Sequence, residues 1–334
     1  MEPLIPYFEV VKIPITGDFA IHGFGILVAL GFVIGSKVAM DKAARDGLDP
    51  EVINRLVGWL VAGVFIGGHW GHLLMYYPEQ IAEDPLNLLR FWQGLSSFGG
   101  FIGCAVLGIW FFRRENQKIH TQNKARHAAG EPLMPRLDVW GYADACLYGF
   151  TLGWASGRTG CFVAHDHPGT VTNFWLGVKG MMNPNSFEAV EKLAWMKAQA
   201  AQFPELAAMT VNQRIPDEIW QQVAYHDLGL YEVIWSICMF GIFWMLDKKP
   251  RKPGFFVGLI FIAYGPVRLL MDVFRHPTTD TRYLGLTPAQ YLSVALVAVG
   301  AWIIWSNRNA RTIAERNQPQ PAPAAAPSSE GAAD

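Results

Sequence analysis

Between positions 157 and 169 the chain reads GRTGCFVAHDHPG, placing an arginine, a cysteine and an H-D-H triplet directly behind a long apolar stretch. Three chemistries suit those residue types. Arg158 carries a guanidinium, whose fork matches a phosphate or carboxylate two bonds at a time. His165, Asp166 and His167 offer nitrogen and oxygen ligands of the kind that hold zinc, and His69 and His72 would add two more at i, i+3 on one helix face. Cys161 is a nucleophile if Arg158 and His165 depress its pKa, and otherwise a small packed residue. Spacing argues against the metal: no close C-x-x-C or H-E-x-x-H occurs, and side chains two positions apart share a side only in extended backbone. No metal and no cofactor is expected. Two further stretches carry chemistry. GPVRLLMDVFR (265–275) sets Arg268 and Asp272 at i, i+4, where they can pair on one helix face. HDLGLYE (226–232) gathers His226, Asp227, Tyr231 and Glu232.

The elements that must position these groups are apolar. Of 334 residues, 51% are hydrophobic and only 16% charged, against about a quarter charged in soluble domains. A helix needs ~20 apolar residues to cross a bilayer core of ~30 Å. Seven stretches meet that length, near 20–40, 54–77, 95–112, 139–157, 230–246, 255–275 and 288–306, so an all-α polytopic membrane protein with seven transmembrane helices is expected. Glycines in GVFIGGHWGHLL and FGGFIGCAVLG have the spacing of closely packed membrane helices. The four cysteines are well separated and read as packing residues, without a disulfide framework. Residues 1–18 lack a basic segment and an apolar core, so no cleavable signal peptide is expected and the first span directs insertion.

Basic residues set the orientation. Lys42 and Arg45, then Arg113, Arg114, Lys118, Lys124, Arg126 and Arg136, then Lys248, Lys249, Arg251 and Lys252 fall in loops of one side, while the short loops of the other side hold Arg90 and Arg282. The first set is cytoplasmic, the N-terminus outside and the C-terminus cytoplasmic. Residues 158–229 then form a small periplasmic head between helices 4 and 5, inserted in a membrane domain spanning 1–306. Within it NPNSFEAVEKLAWMKAQAAQ reads as an amphipathic helix capped by Asn185 with Glu188, with Phe187, Val190, Ala194 and Ala198 on one face. Trp175, Trp195 and Trp220 suit a membrane interface. The tail 307–334 ends in QPQPAPAAAPSSEGAAD, too poor in apolar residues to build a core, and is expected to be disordered and cytoplasmic.

With this topology the unusual polar groups fall toward the outer side of five helices: His22, His69 with His72, Arg158, Tyr231 with Glu232, and Arg268 with Asp272. Ionisable groups inside spans are functional by default, because an unpaired charge there costs ~2.5–3.5 kcal/mol even on the mildest scales. The reading is an outer polar cavity in which Arg158 and Arg268 bind an anion, and at that depth the anion is a phospholipid head group. A self-neutralising Arg268–Asp272 pair is the plainer alternative. No nucleic-acid partner is expected.

Several motifs in order resemble the bacterial prolipoprotein diacylglyceryl transferase family over most of 15–306: IHGFGILVALGF, GGHWGHLLMYYPE, DPLNLLRFWQGLSSFGGFIG, GRTGCFVAHD, HDLGLYE, GPVRLLMDVFR and TPAQYLS. The resemblance implies transfer of a diacylglyceryl group from phosphatidylglycerol to the thiol of the lipobox cysteine in a prolipoprotein signal peptide, at the outer leaflet of the bacterial cytoplasmic (inner) membrane. It assigns Arg158 and Arg268 as the essential arginines, and matches Gly157, Gly160, Tyr231, Glu232 and Gln290. Asp166 and Asp272 stand where the family has glutamates. Phe98 replaces a histidine thought to be the base, Phe24 a tyrosine, Cys161 an asparagine and His69 an arginine. The resulting catalytic set is Arg158, Arg268, Asp166 and His165, with His22, His69, Cys161, Gly157, Gly160, Tyr231, Glu232, Asp272 and Gln290 binding substrate. The departures keep two alternatives in view, a related transferase with another acceptor and a non-catalytic binder of phospholipid or lipoprotein.

Overall fold

A computed structural model describes residues 2–10, 12–16, 19–91, 94–275 and 284–316. The chain is mostly helical: α1 (Gly23–Arg45), α2 (Pro50–Tyr76), α3 (Pro78–Glu83), α4 (Ser97–Ala128), α5 (Val139–Val163), α6 (Ala189–Gln199), α7 (Asp217–Trp220), α8 (Leu228–Leu246), α9 (Phe255–Val273), α10 (Pro288–Ser306) and α11 (Ile313–Arg316). Each apolar stretch singled out in the sequence is a helix. Five of them, α1, α2, α8, α9 and most of α10, are long and apolar enough to cross a membrane. The helices α4 and α5 lie where spans are expected but are less apolar: α4 runs on past Arg113 into a polar second half, and α5 carries Asp144, Arg158 and several glycines.

The chain divides into two compact units, one of residues 1–38, 147–249 and 254–308, the other of 39–146, 250–253 and 309–334. In the second unit α2 and α4 meet through glycines. A Cβ on Gly63 would sit 2.7 Å from the Gly103 carbonyl oxygen, and one on Gly71 2.6 Å from the Gly99 Cα. Backbones approach this closely only where side chains are absent, as the glycine spacing anticipates. Asp49 caps α2 by accepting the Glu51 N–H at 2.9 Å, with Pro50 at the first helical position. Ile313 of α11 is buried in this unit's core with Phe111 and Tyr142. The remainder of the tail, 317–334, for which disorder is expected, lies outside the described residues.

The first unit contains strands that the helical pattern does not foretell. The strands β1 (Lys12–Thr16) and β2 (Phe19–His22) form an antiparallel hairpin, pairing Lys12 with His22. The strands β3 (Pro168–Val171), β4 (Val178–Lys179) and β5 (Ala224–Asp227) form a sheet in the order β3-β5-β4, with β5 antiparallel to both neighbours. Behind the sheet Val178, Trp195, Met196, Ile215, Trp220 and Tyr225 make the core of the head. Three expectations are corrected here. Asn185 does not cap α6. Its side chain brackets the Ile215 backbone, donating to the carbonyl at 2.9 Å and accepting from the N–H at 2.8 Å, and α6 starts later with Glu188 at its N-cap and no side-chain cap bond. The face of α6 that is buried is Lys192, Trp195, Met196 and Gln199, while Val190 is 84% exposed. Larger apolar groups win the core: Trp195 fills it and donates to the Tyr225 hydroxyl at 2.6 Å, and Trp220 donates to Asp217 at 3.0 Å. Both indoles are therefore interior, and Trp175 is the exposed member of the trio.

The helices of the first unit also pack through glycine. A Cβ on Gly31 of α1 would meet the Gly153 carbonyl oxygen of α5 at 2.6 Å, and one on Gly258 of α9 would meet the Gly300 carbonyl oxygen of α10 at 2.8 Å. Pro266 sits inside α9, where its missing N–H loosens the turn just before Arg268. Replacing Gly103 by leucine should split the α2–α4 contact and destabilise the protein by about 1–3 kcal/mol through overpacking, read as a lower unfolding midpoint in detergent. The same change at Gly58, where nothing lies within 4 Å, should leave the midpoint nearly unchanged.

Candidate active site

Three helices meet at one carboxylate, around which α5 and α9 bring hydrogen-bond donors. Glu232, on the second turn of α8, is buried. Arg158, near the end of α5, grips it with two bonds, Nε to Oε2 at 2.5 Å and Nη2 to Oε1 at 3.0 Å. Trp154, one turn earlier on α5, donates its indole N–H to Oε2 at 2.9 Å. Tyr264 of α9 donates its hydroxyl to Oε1 at 3.2 Å. The Trp154 ring also lies under the guanidinium, 4.7 Å from Cζ to the ring centroid. A buried charge pair is tolerable only with such complete hydrogen bonding.

The other end of the guanidinium faces the loop after α5. Arg158 Nη1 lies 3.1 Å from His167 Nε2 and 3.6 Å from the Cys161 sulfur. Arginine has no acceptor, so this geometry requires a lone pair on Nε2 and the imidazole proton on Nδ1. The Asp166 carboxylate stands 3.3 Å from that Nδ1. Burial and then the Arg158 guanidinium hold the His167 pKa below its usual value, opposed by Asp166 and Glu232, with Arg275 adding to the depression. Among the described residues, Cys161, Asp166 and His167 could hold a metal, their ligand atoms lying within 4.8 Å of one another. A guanidinium against two of the three opposes a cation there.

The loop reaches this position by a sharp turn. His165 has φ 52°, in the left-handed region. Its Nε2 binds the Phe8 carbonyl oxygen at 2.9 Å, against the Phe8 ring. His165 and His167 thus have different partners. Gly169 lies against the Phe274 carbonyl at the end of α9, too close for any Cβ, and the neighbouring Thr170 N–H donates to that same oxygen at 2.7 Å. This seam ties the loop to α9.

Arg268 pairs with Asp272 on α9 at 3.5 Å, longer than a hydrogen bond of good geometry. Asp272 is held from its other oxygen by the Thr287 hydroxyl at 2.9 Å. Gln290 closes the capping box of α10, its side chain accepting the Thr287 N–H at 3.0 Å. Tyr231 shares a 2.7 Å hydrogen bond with His226 Nδ1. Gly160 packs on Phe24 of α1, where a Cβ would lie 3.1 Å from the ring, whereas Gly157 has nothing within 4 Å. His22 is exposed at the end of β2. His69, in the other unit, is fully buried between two carbonyl oxygens, Asn87 at 2.7 Å and Gly94 at 3.2 Å. Of the residues singled out in the sequence, the structure brings Arg158, Cys161, Asp166 and Glu232 into one cluster. Arg268, Asp272 and Gln290 form a second through Thr287. His165, His22 and His69 have their own separate surroundings. Trp154 and Tyr264 were not anticipated, although each sits four residues before an arginine, W-x-x-x-R and Y-x-x-x-R.

Comparison with known proteins gives a consistent picture. The family described as prolipoprotein diacylglyceryl transferase matches residues 10–306. The phosphatidylglycerol–prolipoprotein diacylglyceryl transferase of Chromohalobacter salexigens is 27% identical over 298 residues, 87% of this chain and 90% of that protein. Those of Neisseria gonorrhoeae and Serratia proteamaculans are 28% and 29% identical over 310 and 316 residues, covering 88% and 91% of this chain and 93% and 94% of theirs.

Two measurements test this description. Replacing Glu232 by alanine leaves a buried guanidinium unpaired, and should cost about 3–5 kcal/mol, seen as a large fall in the unfolding midpoint. Asp227 caps α8 by accepting the Leu230 N–H at 2.9 Å, and burial pushes its carboxyl up to about 7. The folded state therefore holds this proton more tightly than the unfolded state does. The stability it contributes is full below about pH 4 and is lost as the pH rises toward 7. Asp227→Asn should gain stability over the wild type across that window, and equal midpoint shifts at both ends would refute the assignment.

Proposed function

The chain belongs to the prolipoprotein diacylglyceryl transferase family, and from that premise we propose that it moves a diacylglyceryl group from phosphatidylglycerol to the lipobox cysteine of prolipoproteins. The names of its relatives state this donor and this class of acceptor. The proposal includes the membrane arrangement: seven crossing helices, with α4 and α5 completing the five most apolar ones, the N-terminus outside, the C-terminus cytoplasmic, and the head on the periplasmic side of the inner membrane. The distribution of basic residues supports this orientation.

The observation that carries the reading is the Arg158 guanidinium, fixed on one edge by Glu232 and presenting Nη1 to a thiol and an imidazole on the other. The reaction needs a phosphate stabilised as it departs and a thiol converted to thiolate, because the thiol is a poor nucleophile. Nη1 meets the first need. Arg268, whose contact with Asp272 is long and whose partner is held independently by Thr287, is the arginine freer to turn to a phosphate. Asp166 and His165 lie in the same loop, and His22, Gly157, Gly160, Tyr231 and Gln290 complete the substrate-binding set on the family resemblance, whereas His69, assigned to that set from the sequence, is buried with both ring nitrogens on backbone carbonyls.

Complementation tests this directly. In cells depleted of their own diacylglyceryl transferase, the wild-type chain should restore lipidation of a reporter prolipoprotein. Arg158→Ala and Arg268→Ala should each lower it by about 100-fold or more, the scale of losing a preorganised oxyanion donor. No rescue by a wild-type chain present in the membrane would refute the reading. Full activity of Arg268→Ala would refute its role as an anion ligand.

A further inference from the structure

We propose that His167, oriented by Asp166, is the general base that takes the proton of the acceptor thiol, and that donor phosphate binding at Arg158 uncovers it. The proposal rests on the transfer reading above and goes beyond it by assigning the proton. Its first support is positional. His167 Nε2 bonds the same Nη1 that faces the expected phosphate. The neighbouring histidines are turned to other partners: His165 donates from Nε2 to the Phe8 carbonyl, leaving a buried Nδ1, and His226 shares Nδ1 with the Tyr231 hydroxyl. Its second support is the tautomer. With Nε2 accepting from Arg158, the proton sits on Nδ1, which has no hydrogen-bond partner of good geometry among the described residues. It faces the Asp166 carboxylate at 3.3 Å. A small adjustment of Asp166, whose side chain is 58% exposed, would close that bond, and its charge would steady the imidazolium that forms.

The groups that face the ring are Arg158, Arg275, Asp166, Glu232 and the Cys161 thiol. The cations and burial outweigh the carboxylates, so the free imidazole is neutral near pH 7 and able to accept a proton. When the lipid phosphate takes Nη1, Arg158 keeps Glu232 through Nε and Nη2, and Nε2 loses its donor. The thiol S–H then gives its proton to Nε2. The thiolate attacks the diacylglyceryl carbon bound to the phosphate oxygen. The C–S bond forms as the C–O bond breaks, and glycerol phosphate leaves with the electron pair. The imidazolium returns the proton to the departing phosphate.

The test uses the purified full-length protein in phosphatidylglycerol micelles with a lipobox peptide, reading thioether product against pH. His167→Ala should lose about 100–10,000-fold in kcat, the range for a positioned base, with KM for the lipid little changed. His167→Gln keeps an acceptor for Arg158 but cannot take a proton, so it should fold like the wild type and remain equally inactive. Rescue by glutamine would make the residue a positioning one and overturn the proposal. In the wild type kcat/KM should fall on the acid side as the imidazole protonates, below its usual ~6.5. Asp166→Asn should move that midpoint further to acid. Wild-type activity with an unchanged profile in His167→Ala would overturn the base and leave the transfer reading intact. A wild type that releases no product would overturn both.

Discussion

The arrangement depends on one carboxylate in an apolar setting. Glu232 receives two bonds from Arg158, one from Trp154 and one from Tyr264, and so draws α5, α8 and α9 to a common point. Isolated in hydrocarbon, either charge would be prohibitive. Paired and saturated with donors, the two become a fixed neutral unit with a definite edge. That edge determines what else the site does. Because Nε and Nη2 are committed to Glu232, Nη1 is the part of Arg158 left to meet a ligand, and it points at Cys161 and His167. Arg268 is handled differently. Its carboxylate partner sits at 3.5 Å and is anchored by Thr287, so this pair is looser than the one between Arg158 and Glu232.

Glycine makes such polar contacts geometrically possible. A side chain as short as that of Ser156 can join helices only when backbones are close, and its hydroxyl donates to the Leu27 backbone carbonyl at 2.7 Å beside the Gly31–Gly153 approach. The same device recurs between α9 and α10, and between α2 and α4 in the other unit. In lipid there is no hydrophobic gain from bringing apolar helices together, so small-residue packing and interhelical hydrogen bonds carry the association. The polar cluster and the glycines are two parts of one solution.

What the sequence discloses follows from how local each signal is. Long apolar stretches and glycine spacing are properties of one segment, and all of those helices were legible. The arginines were legible because charge inside an apolar stretch demands a reason. The sheet of the head was not, since β3 has four residues and β4 two, and Pro168 pairs with Asp227 across the whole insertion. The face of α6 was misjudged because its apolar periodicity is weak, and Trp195 and Met196 outweigh the alanines only once a core exists to receive them. Nor did spacing separate His165 from His167. The left-handed backbone at His165 does that, sending one imidazole to Phe8 and the other to Arg158. Trp154 and Tyr264 were readable in principle, as polar aromatics one turn before each arginine.

The charge balance of the site links donor binding to proton transfer. Before the lipid arrives, Arg158 is balanced by Glu232 and Arg268 by Asp272, while a guanidinium donor at Nε2 and burial keep His167 a weak base. A phosphate seated on Nη1 changes both terms in the same direction. It withdraws the donor from Nε2 and adds a negative charge beside the ring, and each change favours the imidazolium. Basicity then rises only when there is a leaving group to displace. A thiol that enters an empty site meets a weak base and stays protonated, whereas one that enters after the lipid meets a stronger base and an electrophile together. Electrostatics alone thus favours thiol deprotonation after the phosphate is seated.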